Sequence, residues 1–246
     1  LGNHEFDYGP VGPRREGGRD PFGSLKKRLA EASFPILAAN LLDRSTKALP
    51  QWTNLRSSVV VEAGGFKIGI VGVITEDTPA ITFPHVGDQL IFTDATEAVI
   101  REARLLREQQ VDLVFVLAHI GGECDEFEDP DDLSSCDQES PVFQLVRGLP
   151  EKLVDVVFGG HTHRPVAHRV DGVVVVQPGK YGRAVSVLDI KDTGDARPAI
   201  TVHPPRSVTA TVATPLSQEI DQILTTEEQA VFKVRSEELG ARLVRP

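Results

Sequence analysis

The chain has 246 residues, 40% of them hydrophobic, enough to bury a sizeable core in one large domain or two small ones. Its 36 acids against 26 bases give a formal net charge of −10, which disfavours nonspecific binding to nucleic acid or to a membrane surface. No apolar run approaches the ~20 residues that span a bilayer.

The opening stretch, LGNHEFDYG, is dense in groups that can do chemistry. Gly2 permits an unusual backbone, Asn3 offers an amide carbonyl, His4 an imidazole, and Asp7 a carboxylate three residues further on. His4-Glu5 begins like the zinc-protease pattern H-E-x-x-H, but Tyr8 stands where the second His should be. An ordinary polar loop is the competing reading of these residues. Asp20-Pro21 then reads as a helix start, with Phe22, Leu25, Leu29 and Ala32 on one face. Residues 36–40, ILAAN, read as a buried strand. SVVVEA and FKIGIVGV, split by Gly64-Gly65, read as a hairpin, and GDQL at 87–90 as a surface loop.

Asp94 with Glu97 resembles a capping box opening a helix whose Ala95, Ala98, Val99, Ala103 and Leu106 face inward. VDLVFVLAH is a continuous apolar run, as expected of a strand covered on both faces. A helix from Ser140-Pro141, the strand LVDVVFGG, and two strands around Asp171-Gly172 follow. Residues from Pro215 onward read as an amphipathic helix. Alternating strands and helices with long apolar strands predict a layered α/β domain.

Histidine placement carries the functional signal. His119 follows VDLVFVLA directly, and His161 and His163 follow LVDVVFGG. Functional groups in open α/β sheets gather beyond the carboxyl ends of the strands. On a helix the two His of HTH would diverge by about 200°, whereas in an extended or loop backbone they share a face. A lone His at a strand end is usually just solvated or hydrogen-bonded. Three of seven His at two strand ends, with Asn3 and His4, instead predict metal ligation.

GNHEFDYG, VLAHIGGECD and FGGHTH, in that order, resemble the later motifs of the calcineurin-like metallophosphoesterases, and more narrowly the 5′-nucleotidase and UDP-sugar hydrolase branch. FPILAAN, FKIGIVGVIT and VVVQPGKYGRAVSVLDI resemble the same branch, so the likeness covers most of residues 1 to 205. It implies an α/β/β/α fold, a two-sheet sandwich flanked by helices with two metals at the strand ends. It also implies a catalytic domain over residues 1–205, and over 206–246 a linker and helix leading to a C-terminal nucleotide-binding domain. Asn3, His119 and His161 would ligate one divalent metal and His163 the other. His4 would be the catalytic histidine, paired with Asp7. Neutral imidazoles and an amide carbonyl suit Zn²⁺, Mn²⁺ or Fe.

The implied activity is hydrolysis of nucleotide phosphate esters through a metal-activated water, with a nucleotide or nucleotide sugar as substrate. A non-catalytic module that keeps part of the metal site is the alternative. The family's Asp-x-His and Gly-Asp motifs, which supply a bridging carboxylate, do not occur ahead of GNHE. The chain is therefore expected to be an internal piece of its parent, and inactive by itself. Cys124 and Cys136 lie in ECDEFEDPDDLSSCDQE, with nine acids and no bases, which argues against a nucleophilic thiol. A local disulfide is preferred, in keeping with the periplasmic, secreted or cell-surface habit of the branch. Two free thiols and a calcium loop are the other readings.

Overall fold

The computed structural model describes residues 1–12, 20–195, 197–209 and 214–236. They fall into two units, Leu1–Ser207 and Val208–Pro246.

A six-stranded sheet organises the first unit. Its strands lie in the order Ser58–Ala63, Phe66–Ile74, Leu113–His119, Val156–Phe158, Val173–Pro178 and Pro165–Val170. The four inner strands are mutually parallel, and each edge strand joins by an antiparallel hairpin. The parallel strands are the sequence's apolar runs, but only the face under helix Ala95–Glu108 is fully covered. On the other face Leu117 stays 46% exposed, so the expectation of a strand covered on both faces fails for Leu113–His119. Asp171 and Gly172, both with positive φ, close the tighter hairpin as the Asp-Gly pair predicts.

Helix Ala95–Glu108 packs on one face of this sheet, beside helix Pro141–Arg147. Ala98, Val99, Ala103 and Leu106 bury against Val71, Val73, Val114 and Val116. A Cβ at Gly69 would lie 2.9 Å from Leu106 Cδ1, so this glycine sets how closely helix and sheet approach. Asp94 accepts from Glu97 N at 2.8 Å and caps the helix. On the opposite face Val156, Val174 and Val176 meet Leu188, Ile200 and Val202 of a two-stranded pair.

A second core anchors the opening turn. Asn3–Asp7 forms a 3₁₀ turn, and its buried Phe6 packs edge-on against Phe92 and Phe22 among Leu25, Leu29, Ile74 and Leu90. The residues ahead of Phe6 are thus fixed by its burial rather than left to fray.

Three sequence expectations need correcting. The ILAAN strand stops at Leu37, because buried Asn40 bonds through its side chain to both backbone groups of Ile74, at 2.8 and 3.0 Å. GDQL is not a surface loop. Pro84–Gln89 is a short helix with Val86 buried, and Leu90 opens a strand. The first helix begins at Gly23, while the Asp20 side chain accepts from Phe22 N.

Cys124 and Cys136 form a disulfide. Purified protein should therefore resist thiol alkylation until it is reduced, as mass spectrometry can read. Two readily alkylated thiols in unreduced protein would refute the bond. Loop-entropy arithmetic for a closure of this size puts the cost of the Cys136→Ser variant at about 2–3 kcal/mol.

In the second unit, helix Pro215–Arg235 is capped by Thr214, whose side chain accepts from Ser217 N at 3.1 Å. Its Leu216, Ile220, Ile223, Leu224 and Phe232 are exposed.

Candidate metal centre

All four parallel strands end on the same side of the sheet, and the candidate residues collect there. His119 is the last residue of its strand, and His161 follows Val156–Phe158 after two glycines. Asn3 arrives from the 3₁₀ turn and is 4% exposed. A Cβ at Gly2 would lie 2.8 Å from the His119 ring, so only glycine lets the turn approach so closely. Glu5 accepts from Gly2 N at 2.6 Å and closes the turn upon itself.

Three donor atoms converge. Asn3 Oδ1 lies 2.8 Å from His119 Nε2, and His161 Nδ1 lies 3.3 Å from that same nitrogen. The His119 and His161 ring centroids are 5.0 Å apart. Ligands held at ~2.0–2.2 Å around one cation sit roughly 2.9–3.5 Å from one another, so this spacing fits a metal. Burial, and then the charge of His161, pushes His119 down to about 4. Burial likewise lowers His161, against an opposing pull from Asp77. Both imidazoles are therefore neutral at physiological pH, as metal ligation requires.

The turn carrying His161 and His163 is braced from beneath. Both histidines have positive φ, 75° and 63°, which non-glycine residues seldom adopt. The backbone is thus left-handed at both positions rather than extended. Between them, Thr162 donates to Gly122 O at 2.8 Å and accepts from Gln177 Nε2 at 2.8 Å. Gln177 Nε2 also bonds Arg164 O. A Cβ at Gly121 would fall 2.1 Å from Gly160 O, so a side chain there would lift the turn. Gln177, Thr162 and Gly121 are structural members of the site that sequence reading missed. Gly121 alone left a trace, in the Gly-Gly pair after His119.

His163 is not joined to Asn3, His119 or His161 by any hydrogen bond or ring contact among the described residues. Its charge is nevertheless felt at both His119 and His161, and its ring meets Tyr181 edge-on, with centroids 5.6 Å apart. His4 Nδ1 lies 2.7 Å from Asp7 Oδ2, with the His4 side chain 74% exposed at the rim. A separate group, Cys124, Cys136 and His168, also brings ligand-type atoms within 4.8 Å of one another. Its two sulfurs are bonded to each other, so it offers no thiolate to a metal.

A family model for calcineurin-like phosphoesterases matches residues 1–165. A 5′-nucleotidase from Diplobatis ommata is 36% identical over 163 residues, covering 66% of this chain and 23% of its own length. Endonuclease YhcR of Bacillus subtilis is 29% identical over 199 residues, covering 78% of this chain and 14% of its own. The structure of a 5′-nucleotidase precursor from Thermus thermophilus superposes with a TM-score of 0.65 at 25% identity, covering 96% of this chain and 43% of that one. The chain spans less than a quarter of the length of either curated relative.

Proposed function

Since the chain belongs to the calcineurin-like phosphoesterase family, in its 5′-nucleotidase branch, we propose that it carries the metal-binding site of an enzyme that hydrolyses phosphate esters of nucleotides or nucleotide sugars. The observation that carries this reading is the convergence of Asn3 Oδ1, His119 Nε2 and His161 Nδ1. Phosphoesterases of this family use divalent cations, and we assign those three residues to one and His163 to a second. Zn²⁺, Mn²⁺ and Fe all suit such donors. When bound, such a pair polarises the phosphoryl oxygens and activates the attacking water.

The chain's own contribution is positional and electrostatic. Asn3, His119 and His161 fix where the phosphoryl group sits, on a turn locked by Phe6 and a loop locked by Gln177. His4 is free at the rim to face the phosphoryl or leaving-group oxygen, while Asp7 holds its Nδ1 side. Protonated at Nε2, His4 would stabilise charge building on that oxygen and deliver the proton. The bond to Asp7 fixes the ring's orientation for that task. The disulfide supports a location outside the reducing cytosol, in the periplasm, at the cell surface or secreted.

The deciding experiment is hydrolysis of a nucleoside monophosphate by the full-length protein, since these 246 residues alone are expected to be inactive, before chelation, after chelation and after each metal is restored. Turnover that vanishes and returns with the metal supports the reading. Metal binding without turnover of any phosphate ester would leave a binding module instead. In the full-length protein, His4→Asn should lower kcat by roughly 10²–10⁴-fold, the usual worth of such a group, with metal content nearly unchanged. A large loss of bound metal in that variant would make His4 a ligand and not a catalyst.

A further inference from the structure

The fourth parallel strand, Val173–Pro178, also ends at the rim, and the mechanism above uses nothing from it. It delivers the loop Gly179–Arg183, turned by a bond from Arg183 N to Lys180 O. Tyr181 sits there with a left-handed backbone and 73% exposure, its ring against His163. Lys180 Nζ lies 5.3 Å and Arg183 Cζ 5.7 Å from the centroid of that ring. Neither cation has an acidic partner among the described residues, in a chain whose net charge is −10. Two unpaired cations gathered on one aromatic ring, in contact with a histidine of the metal centre, have no structural task in this fold.

We propose that the loop Gly179–Arg183 is the leaving-group subsite of the centre, and that it selects substrates carrying a second phosphoryl group, such as nucleoside diphosphates or nucleotide sugars. The proposal rests on the phosphoesterase reading and deepens it. The ring holds the two cations by cation–π attraction. A stacking nucleobase would have to displace one of them, whereas an anion need only meet their outward N–H groups. Arg183 can bind a phosphate through two parallel bonds, and Lys180 adds a point charge. Tyr181 touches His163, so the two cations stand beside the residue assigned to the second metal, within reach of a group bonded to the reacting phosphoryl there.

The test compares the full-length protein with its Lys180→Ala/Arg183→Ala double variant on three substrates: a nucleoside diphosphate, the matching monophosphate and p-nitrophenyl phosphate. The double variant should lose roughly tenfold or more in kcat/KM on the diphosphate, through KM, and under about threefold on the other two. Tyr181→Phe should retain the discrimination and Tyr181→Ala should weaken it. A second readout is calorimetric binding of a methylene-bridged, non-hydrolysable nucleoside diphosphate at low and high salt. Salt-sensitive affinity that falls in the double variant supports the subsite even if no ester is hydrolysed, so the hydrolytic reading can fail alone. Unchanged affinity, or an equal loss on all three substrates, overturns the subsite.

Discussion

In the full-length protein, His119→Ala should remove the cation assigned to Asn3, His119 and His161 and reduce metal-dependent hydrolysis by roughly a thousandfold or more. His119 is the shared node of the centre, because its Nε2 is the atom approached by both Asn3 Oδ1 and His161 Nδ1. Removing it leaves that cation with only an amide and one imidazole of the three donors assigned to it. A bound cation contributes several kcal/mol of transition-state charge stabilisation, and each 1.36 kcal/mol is a factor of ten in rate. Among the described residues the half-buried ring meets polar partners only at Asn3 and His161, so the variant should fold with a near-native circular dichroism spectrum. Metal analysis alongside steady-state kinetics reads both effects. His203→Ala, which removes an imidazole bonded to Asp189 Oδ2 and to no other side chain among the described residues, is the matched control and should change neither. Full metal content and activity in His119→Ala would end the assignment of this centre.

The parts of the fold that the sequence discloses are those governed by periodicity and strand ends. VDLVFVLAH and LVDVVFGG read as strands from their continuous apolar runs, although Leu117 is 46% exposed where cover on both faces is expected, and the strands are parallel, so the histidines behind them share a side. The parts it conceals depend on contacts between residues remote in sequence. Gln177 reads as the polar end of a valine strand, and only the folded chain brings it under Thr162. Asn40 reads as the tail of a strand, yet its side chain replaces backbone partners of Ile74, 34 residues away. GDQL carries turn-forming residues, but burial of Val86 and Leu90 against the Phe6 core overrides that local preference. Tyr181 shows no periodic signal at all, since its position follows from the end of Val173–Pro178.

Asp155→Ala should produce the largest loss of stability without touching the centre. Its carboxylate, 6% exposed, opens the strand that leads to His161. It accepts from Arg107 Nη2 at 2.6 Å, Val114 N at 2.6 Å and Arg197 Nη1 at 2.9 Å. The Asp155 backbone pairs with Val114 O and Val174 N, so one residue ties three neighbouring strands at their amino ends. Removing the carboxylate leaves Arg107 partly buried with an unpaired charge and Val114 N without an acceptor. Breaking such a pair by deleting one partner costs about 3–5 kcal/mol when burial is complete. Both guanidinium groups here reach solvent, at 22% and 38% exposure, so the lower end applies, about 3 kcal/mol. For a unit of this size that lowers Tm by roughly 6–12 °C. Asp155→Asn keeps an acceptor for Val114 N and should lose less. The amino ends of these strands face away from the rim, so metal stoichiometry and KM below the transition should match the parent protein. A Tm unchanged within error in Asp155→Ala would mean that the two arginines contribute nothing net. A lost metal with an unchanged Tm would tie this corner of the sheet to the centre instead.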